Sequence, residues 1–107
     1  MLTLHARTAE EYHAALRNHP ALLVDFHKDD CPGCRMLEMS LASVSGAIAD
    51  AGMTLLKVKL ETVGEALFRD LGLRQTPTLL VVRDGHETAR SPGFQSPRQI
   101  LAMLEAG

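Results

Sequence analysis

The sequence predicts an α/β fold: a mixed β-sheet with helices on its faces, in the order βαβαβαββα. Three observations predict it. Short apolar runs alternate with segments of three- and four-residue periodicity. Asp84-Gly85 joins two extended runs, the sort of pair that a tight hairpin demands. A Ser or Thr stands three positions before a Glu or Gln at each of three expected helix starts. At 107 residues, and with no repeat or linker, residues 1–107 are expected to form a single domain around one core.

Leu2 to His5 reads as a short first strand, and a helix follows from about Ala9 to Asn18 with Tyr12 and Leu16 on one face. Thr8 and Glu11 form its capping box. Ala21 to His27 reads as a strand, because Leu22-Leu23-Val24 and Phe26 make a compact apolar run after Pro20; Asp25 is the odd residue in it. From Pro32 to about Ala51 the pattern is helical, with Met36, Leu37, Leu41, Val44 and Ile48 at helical spacing and Gly52 as the stop. Met53 to Leu60 alternates as a strand, with Lys57 and Lys59 opposite Leu56, Val58 and Leu60. Strand, helix, strand in this order is a parallel crossover unit.

A second capping box, Thr62 with Glu65, opens a helix carrying Leu67, Phe68 and Leu71, which Gly72 ends. Thr78 to Val82 and His86 to Arg90 are the two hairpin strands. Ser96, Pro97 and Gln99 supply the N-cap, the first helical position and the third capping box of a last helix holding Ile100, Leu101 and Leu104.

Composition narrows the function. Hydrophobic residues make up 46% and charged residues 22%, ordinary for a globular chain. A net charge of −2 with scattered Lys and Arg leaves no footprint for nucleic acid or an anionic membrane. Met1 to Arg17 lacks a basic region followed by an apolar core, and the longest apolar runs, such as Thr78 to Val82, are too short to cross a bilayer. A soluble, cytoplasmic protein is the expectation. The only two cysteines lie together in Cys31-Pro32-Gly33-Cys34, which excludes a multi-disulfide scaffold and marks the pair as a chemical group.

A C-x-x-C where a strand passes into a helix puts its first cysteine at the helix N-terminus, where unpaired N–H groups and the positive dipole end stabilise a thiolate. Cys31 is thus the candidate nucleophile, nearer the helix end and expected to be the more exposed thiol. Pro32 takes a first-turn position where its missing N–H costs little, and Cys34 stands ready to attack a mixed disulfide formed on Cys31. The alternative, half of a zinc site, needs ligands from His5, His13, His19, His27 and His86, none of which has zinc-finger spacing. Inert buried thiols are the other alternative, against which stands the Pro-Gly pair between them, expected to be exposed.

Leu23-Val24-Asp25-Phe26, followed after four residues by Cys31-x-x-Cys34, resembles the active-site strand and loop of the thioredoxin family. Gly72-Leu73-Arg74-Gln75-Thr76-Pro77-Thr78-Leu79-Leu80 is similar to that family's cis-proline segment, and Asp84-Gly85, Pro92-Gly93 and a terminal amphipathic helix complete the likeness. The resemblance implies a thioredoxin fold with Pro77 cis in a loop facing the cysteines. It makes Asp25 a buried carboxylate beneath Cys34 that serves in proton transfer, consistent with the raised pKa an acid in an apolar run should have. It makes Lys57 the lysine approaching Asp25, against a plain solvated strand face. Thr76 is implied to pair its backbone with substrate, Gly93 to admit a partner's backbone, and Pro32 and Gly33 to contact substrate beside the cysteines.

The activity implied is reduction of protein disulfides by a monomer that needs no cofactor or metal and is recycled by a flavin- and NADPH-dependent thioredoxin reductase. A glutaredoxin-like, glutathione-dependent reductase and a thioredoxin-fold protein-binding adaptor are the alternatives. The chain departs from the family in reading Asp30-Cys31-Pro32-Gly33-Cys34 where Trp-Cys-Gly-Pro-Cys is usual, and it has no tryptophan. Asp29 and Asp30 should disfavour a thiolate on Cys31, while His27 and Lys28 oppose them. Met39 replaces a family proline that kinks the active-site helix, so a straighter helix is expected.

Overall fold

A computed structural model describes residues Met1–Gly107. Its centre is a five-stranded sheet in the order β1-β3-β2-β4-β5, formed by Thr3–Ala6, Thr54–Lys59, Ala21–His27, Thr78–Arg83 and His86–Pro92. β1, β3 and β2 run parallel, and β4 and β5 run antiparallel to their neighbours. The helices are α1 (Ala9–Asn18), α2 (Pro32–Ser43), α3 (Ser45–Asp50), α4 (Leu60–Val63), α5 (Glu65–Asp70) and α6 (Pro97–Ala106). Counting α2 with α3 and α4 with α5 as interrupted single helices, the element order is the expected one.

Because side chains alternate across a strand, the sheet divides the core in two. Leu23, Leu55, Leu79 and Val81 face one way and pack with Leu37 and Leu41 of α2, Ile48 of α3 and Ile100 of α6. Leu22, Val24, Phe26, Leu56, Val58 and Leu80 face the other way and meet Tyr12 of α1 and Leu67 and Phe68 of α5. On that side Phe26 stands between Tyr12, 5.7 Å away, and Phe68, 5.4 Å away edge to face. The unbroken apolar run of β2 reflects a central strand covered on both faces, so the expected single core is two half-cores sharing that strand.

Several local expectations change. Thr62 lies inside the four-residue α4, and α5 is preceded by Gly64 at φ +93 with no side-chain cap, so the Thr62–Glu65 box does not form. Thr8 does cap α1, but Glu11 accepts from the Arg7 N–H rather than from that of Thr8. Only the Ser96–Gln99 box closes in both directions. The long helix passes through Met39 without interruption and breaks at Val44, where φ −113 and ψ 20 leave the helical range. Met36, Met39 and Leu101 face solvent rather than core, Met39 at 73% exposure. Leu2 is exposed and the first strand begins at Thr3, while Leu60 turns into α4 instead of extending β3.

The hairpin turns through Asp84 at φ 52 and Gly85 at φ 81, the paired left-handed conformations of a type I′ turn. β5 runs on to Pro92, and a bulge leaves Thr88 without a partner between the pairs Val81–Ala89 and Val82–Glu87. No helix is long and apolar enough to cross a membrane.

Candidate active site

The site sits at the carboxyl end of β2, where the chain leaves the sheet. Asp30, at φ 52, turns the loop toward α2, and the Asp29 N–H donates to the Glu61 carboxylate at 3.1 and 3.2 Å. The Asp29 carboxylate pairs with Lys59 Nζ at 2.7 Å, so one of the two acids expected to oppose a thiolate is already engaged by a cation. The loop is thereby tied to β3 and α4 before it reaches the cysteines.

Cys31 is the N-cap of α2, its Sγ accepting the Cys34 N–H at 3.2 Å, with Pro32 in the first turn. Its sulfur thus occupies the place where a helix start stabilises negative charge. Cys31 and Cys34 are joined in a disulfide with Cα atoms 5.2 Å apart. The expectation that Cys31 is the more exposed fails in this oxidised form: the two residues are 6% and 7% exposed. Pro32 is exposed, as the sequence suggested, and Gly33 half-buried.

The cis Thr76–Pro77 bond lies against the pair. Thr76 carbonyl oxygen and Oγ1 are 3.8 and 3.7 Å from Cys31 Sγ. A Cβ on Gly33 would come within 3.3 Å of Pro77 Cδ, so the small residue between the cysteines allows that contact. Gly93, at φ +85, donates its N–H to the Pro77 carbonyl at 2.7 Å, which ties the end of β5 to this loop. Its positive φ, with Gln75 Nε2 3.1 Å from where a Cβ would stand, accounts for the glycine within the chain itself.

Asp25 points to the α2 side of the sheet, because it shares parity with Leu23, and it is 1% exposed. It lies opposite Lys57 of β3 and Leu79 of β4. Lys57 Nζ is 3.6 Å from Asp25 Oδ2, and Oδ1 has no hydrogen-bond partner. Burial pushes the Asp25 carboxyl up to about 6; the Lys57 cation opposes the rise and the Glu38 charge adds to it. Asp25, Lys57, Glu38, His27 and Cys34 line one recess of about 310 Å³. Burial, with Lys57 and Lys59, holds the His27 imidazole below its ordinary value.

Glu38 escaped the sequence reading. Its Oε1 is 3.5 Å from Lys57 Nζ, so the ammonium bridges two carboxylates. The signal was its position four residues after Cys34, one helical turn along the same face. No cluster of three or more His, Cys, Asp and Glu side chains is arranged to hold a metal ion.

A sulfur pair at a helix start, sharing a recess with a buried acid whose carboxyl is pushed up to about 6, can exchange thiols with disulfides. Comparison with known proteins points the same way. The chain is 32% identical over 92 residues to protein disulfide-isomerase A2 of Homo sapiens, a match covering 85% of this chain but 17% of that protein. It is 28% identical over 97 residues to a thioredoxin of Alicyclobacillus acidocaldarius, covering 91% and 90% of the two. A solved mutant thioredoxin from Halobacterium salinarum has the same fold, with a TM-score of 0.83 at 23% identity over 97% of this chain and 88% of the other. The family model described as a thioredoxin-like domain matches residues 9–107, and the chain belongs to that family.

Proposed function

We infer that this chain is a thiol–disulfide oxidoreductase that reduces protein disulfides through Cys31 and Cys34. The observation carrying this reading is the Cys31–Cys34 disulfide at the start of α2, with Thr76 less than 4 Å from Cys31 Sγ. In the reduced form the Cys31 thiolate attacks one sulfur of a substrate disulfide. A Cys31–substrate disulfide forms, and the other substrate sulfur leaves as a thiolate that takes up a proton. Cys34 then loses its proton to Asp25, attacks Cys31 Sγ and releases the second substrate thiol. Two electrons pass from the dithiol to the substrate, and the protein is left with the disulfide described above.

Pro32, Gly33 and Thr76 surround the sulfurs and are the residues a substrate segment meets first; Gly93 supports this surface through Pro77. Turnover requires an external two-electron donor, which in this reading is a flavin- and NADPH-dependent thioredoxin reductase acting on the monomer in the cytoplasm. Insulin reduction tests it. Activity is expected with NADPH and such a reductase, with little from glutathione alone. Reduction supported by glutathione and not by the reductase would replace this reading with a glutathione-dependent one. Full biological activity in a Cys31→Ser/Cys34→Ser variant would replace it with an adaptor.

A further inference from the structure

Separate from the recess that holds Asp25, a groove of about 500 Å³ is lined by Lys28 of the loop after β2, by residues of α5 and by the loop leading to Thr76. Leu60, Phe68 and Leu73 supply its apolar lining, and Thr76 closes the end nearest Cys31. Three cations border it, Lys28, Arg69 and Arg74, against a single acid, Glu65. Elsewhere in the chain Lys57, Lys59 and Arg90 are paired with carboxylates, Arg83 donates to the carbonyls of Leu104 and Gly107, and Arg7, Arg17, Arg35 and Arg98 take part in no ion pair but do not line this groove. Lys28, Arg69 and Arg74 take part in none of the ion pairs. Three cations against one acid make the lining of the groove positive on a protein whose net charge is −2.

We propose that this groove selects substrates carrying acidic residues beside the reacting cysteine. The proposal rests on the oxidoreductase reading and adds the substrate class to it. A substrate sulfur bonded to Cys31 must lie next to Thr76, and Arg74 is two residues from Thr76, roughly 7 Å along an extended chain. An acidic side chain two to four residues from the substrate cysteine therefore reaches Arg74 and then Arg69 or Lys28. The occupant is an acidic protein segment: the apolar lining suits side chains between the charges, and Thr76, which lines the groove, lies 3.7 Å from Cys31 Sγ.

The test uses the full chain, reduced with dithiothreitol and freed of excess, mixed in single turnover with disulfide-linked peptide dimers. The dimers are identical except that positions two and three residues from the cysteine carry Glu in one set and Gln in the other. The Glu set is expected to react about tenfold faster at low salt, from two or three exposed charge pairs, with the ratio falling toward one near 1 M salt as the Debye length shrinks to about 3 Å. Arg69→Gln/Arg74→Gln should bring the ratio close to one even at low salt. Arg17→Gln/Arg98→Gln, which changes net charge equally but lies outside the groove, should keep it. Equal rates for both sets in the unaltered protein, or equal loss of preference in both variants, would overturn the proposal while leaving the oxidoreductase reading intact. Failure to reduce either set would overturn that reading and the proposal with it.

Discussion

Asp25 of β2 and Lys57 of β3 are direct partners across a parallel strand pair, and their charged atoms lie 3.6 Å apart in a recess that Cys31 and Cys34 also line. The distance is longer than a close ion pair, and Lys57 is shared with Glu38 at 3.5 Å. The carboxylate is thus only partly compensated, with Oδ1 unpartnered and burial outweighing the cation.

In the proposed exchange, this arrangement predicts a pH dependence for release of reduced substrate. With its carboxyl at about 6, Asp25 is mostly ionised at neutral pH and available to take the Cys34 proton, and mostly protonated below that value. Release by the unaltered protein should slow as pH falls through about 6. Asp25→Asn should still form the mixed disulfide but release it slowly near pH 7, catching up as pH approaches about 8.5, the pKa of a free thiol. Single-turnover rates across this range check it, and matching profiles would remove Asp25 as the proton acceptor.

Stability should move the opposite way. The folded protein holds the Asp25 proton up to about 6, whereas the unfolded chain releases it near 3.8. Stability contributed by the protonated acid is full below about 3.8 and is lost as pH rises through 6, because the folded state then binds more protons than the unfolded one. Asp25→Asn, which keeps a neutral side chain at all pH, should raise stability at pH 7 by about 1–3 kcal/mol. Urea unfolding at pH 4 and pH 7 reads this out: the gain should shrink at the lower pH.

Lys57 and Glu38 tune the acid in opposite senses. Lys57→Met should move the midpoint of the release profile upward, since the cation that lowers the Asp25 carboxyl is gone. Glu38→Gln should move it downward, because it removes a like charge and leaves Lys57 with one carboxylate partner. A pair of variants shifting the midpoint in the same direction would show that their effects are structural.

The sulfurs should also behave unequally despite equal burial. Brief iodoacetamide treatment of the reduced protein at neutral pH is expected to label Cys31 first, because its sulfur accepts the Cys34 N–H at the helix start. Cys34→Ser should accumulate a stable complex with a protein disulfide, and Cys31→Ser should not. Mass spectrometry distinguishes the two sites, and preferential labelling of Cys34 would reverse their roles.

The capping boxes give a test of the fold alone. Ser96→Ala should cost about 1 kcal/mol, since its hydroxyl accepts the Gln99 N–H at the start of α6. Thr62→Ala should cost little, because Thr62 caps nothing. Urea midpoints measured at constant slope compare them.

The contrast shows what a sequence exposes. Strand β2 and helix α6 were legible because each carries its own signal: an apolar run after Pro20, and Ser96, Pro97 and Gln99 in order. The cysteine pair, Asp25 and the Thr76-Pro77 segment were legible as chemistry out of place in their surroundings. Thr62 misled because the spacing of a box says nothing about whether the chain bends there; Gly64, at φ +93, starts the next helix instead. Met36 and Leu101 fit a helical period yet lie on the solvent side, since period alone does not say how wide the buried stripe is. Glu38 acts on Lys57 and Asp25, residues of other elements; its spacing from Cys34 puts it on the right face of α2, but the meeting itself is made by the crossover.

The two edges of the sheet are unlike its centre. β1 spans four residues, and β5 carries the Thr88 bulge and ends at Pro92, which has no N–H to offer. A strand from another molecule would find a short template on one side and a twisted, interrupted one on the other, so neither edge invites the sheet to grow by stacking chain upon chain.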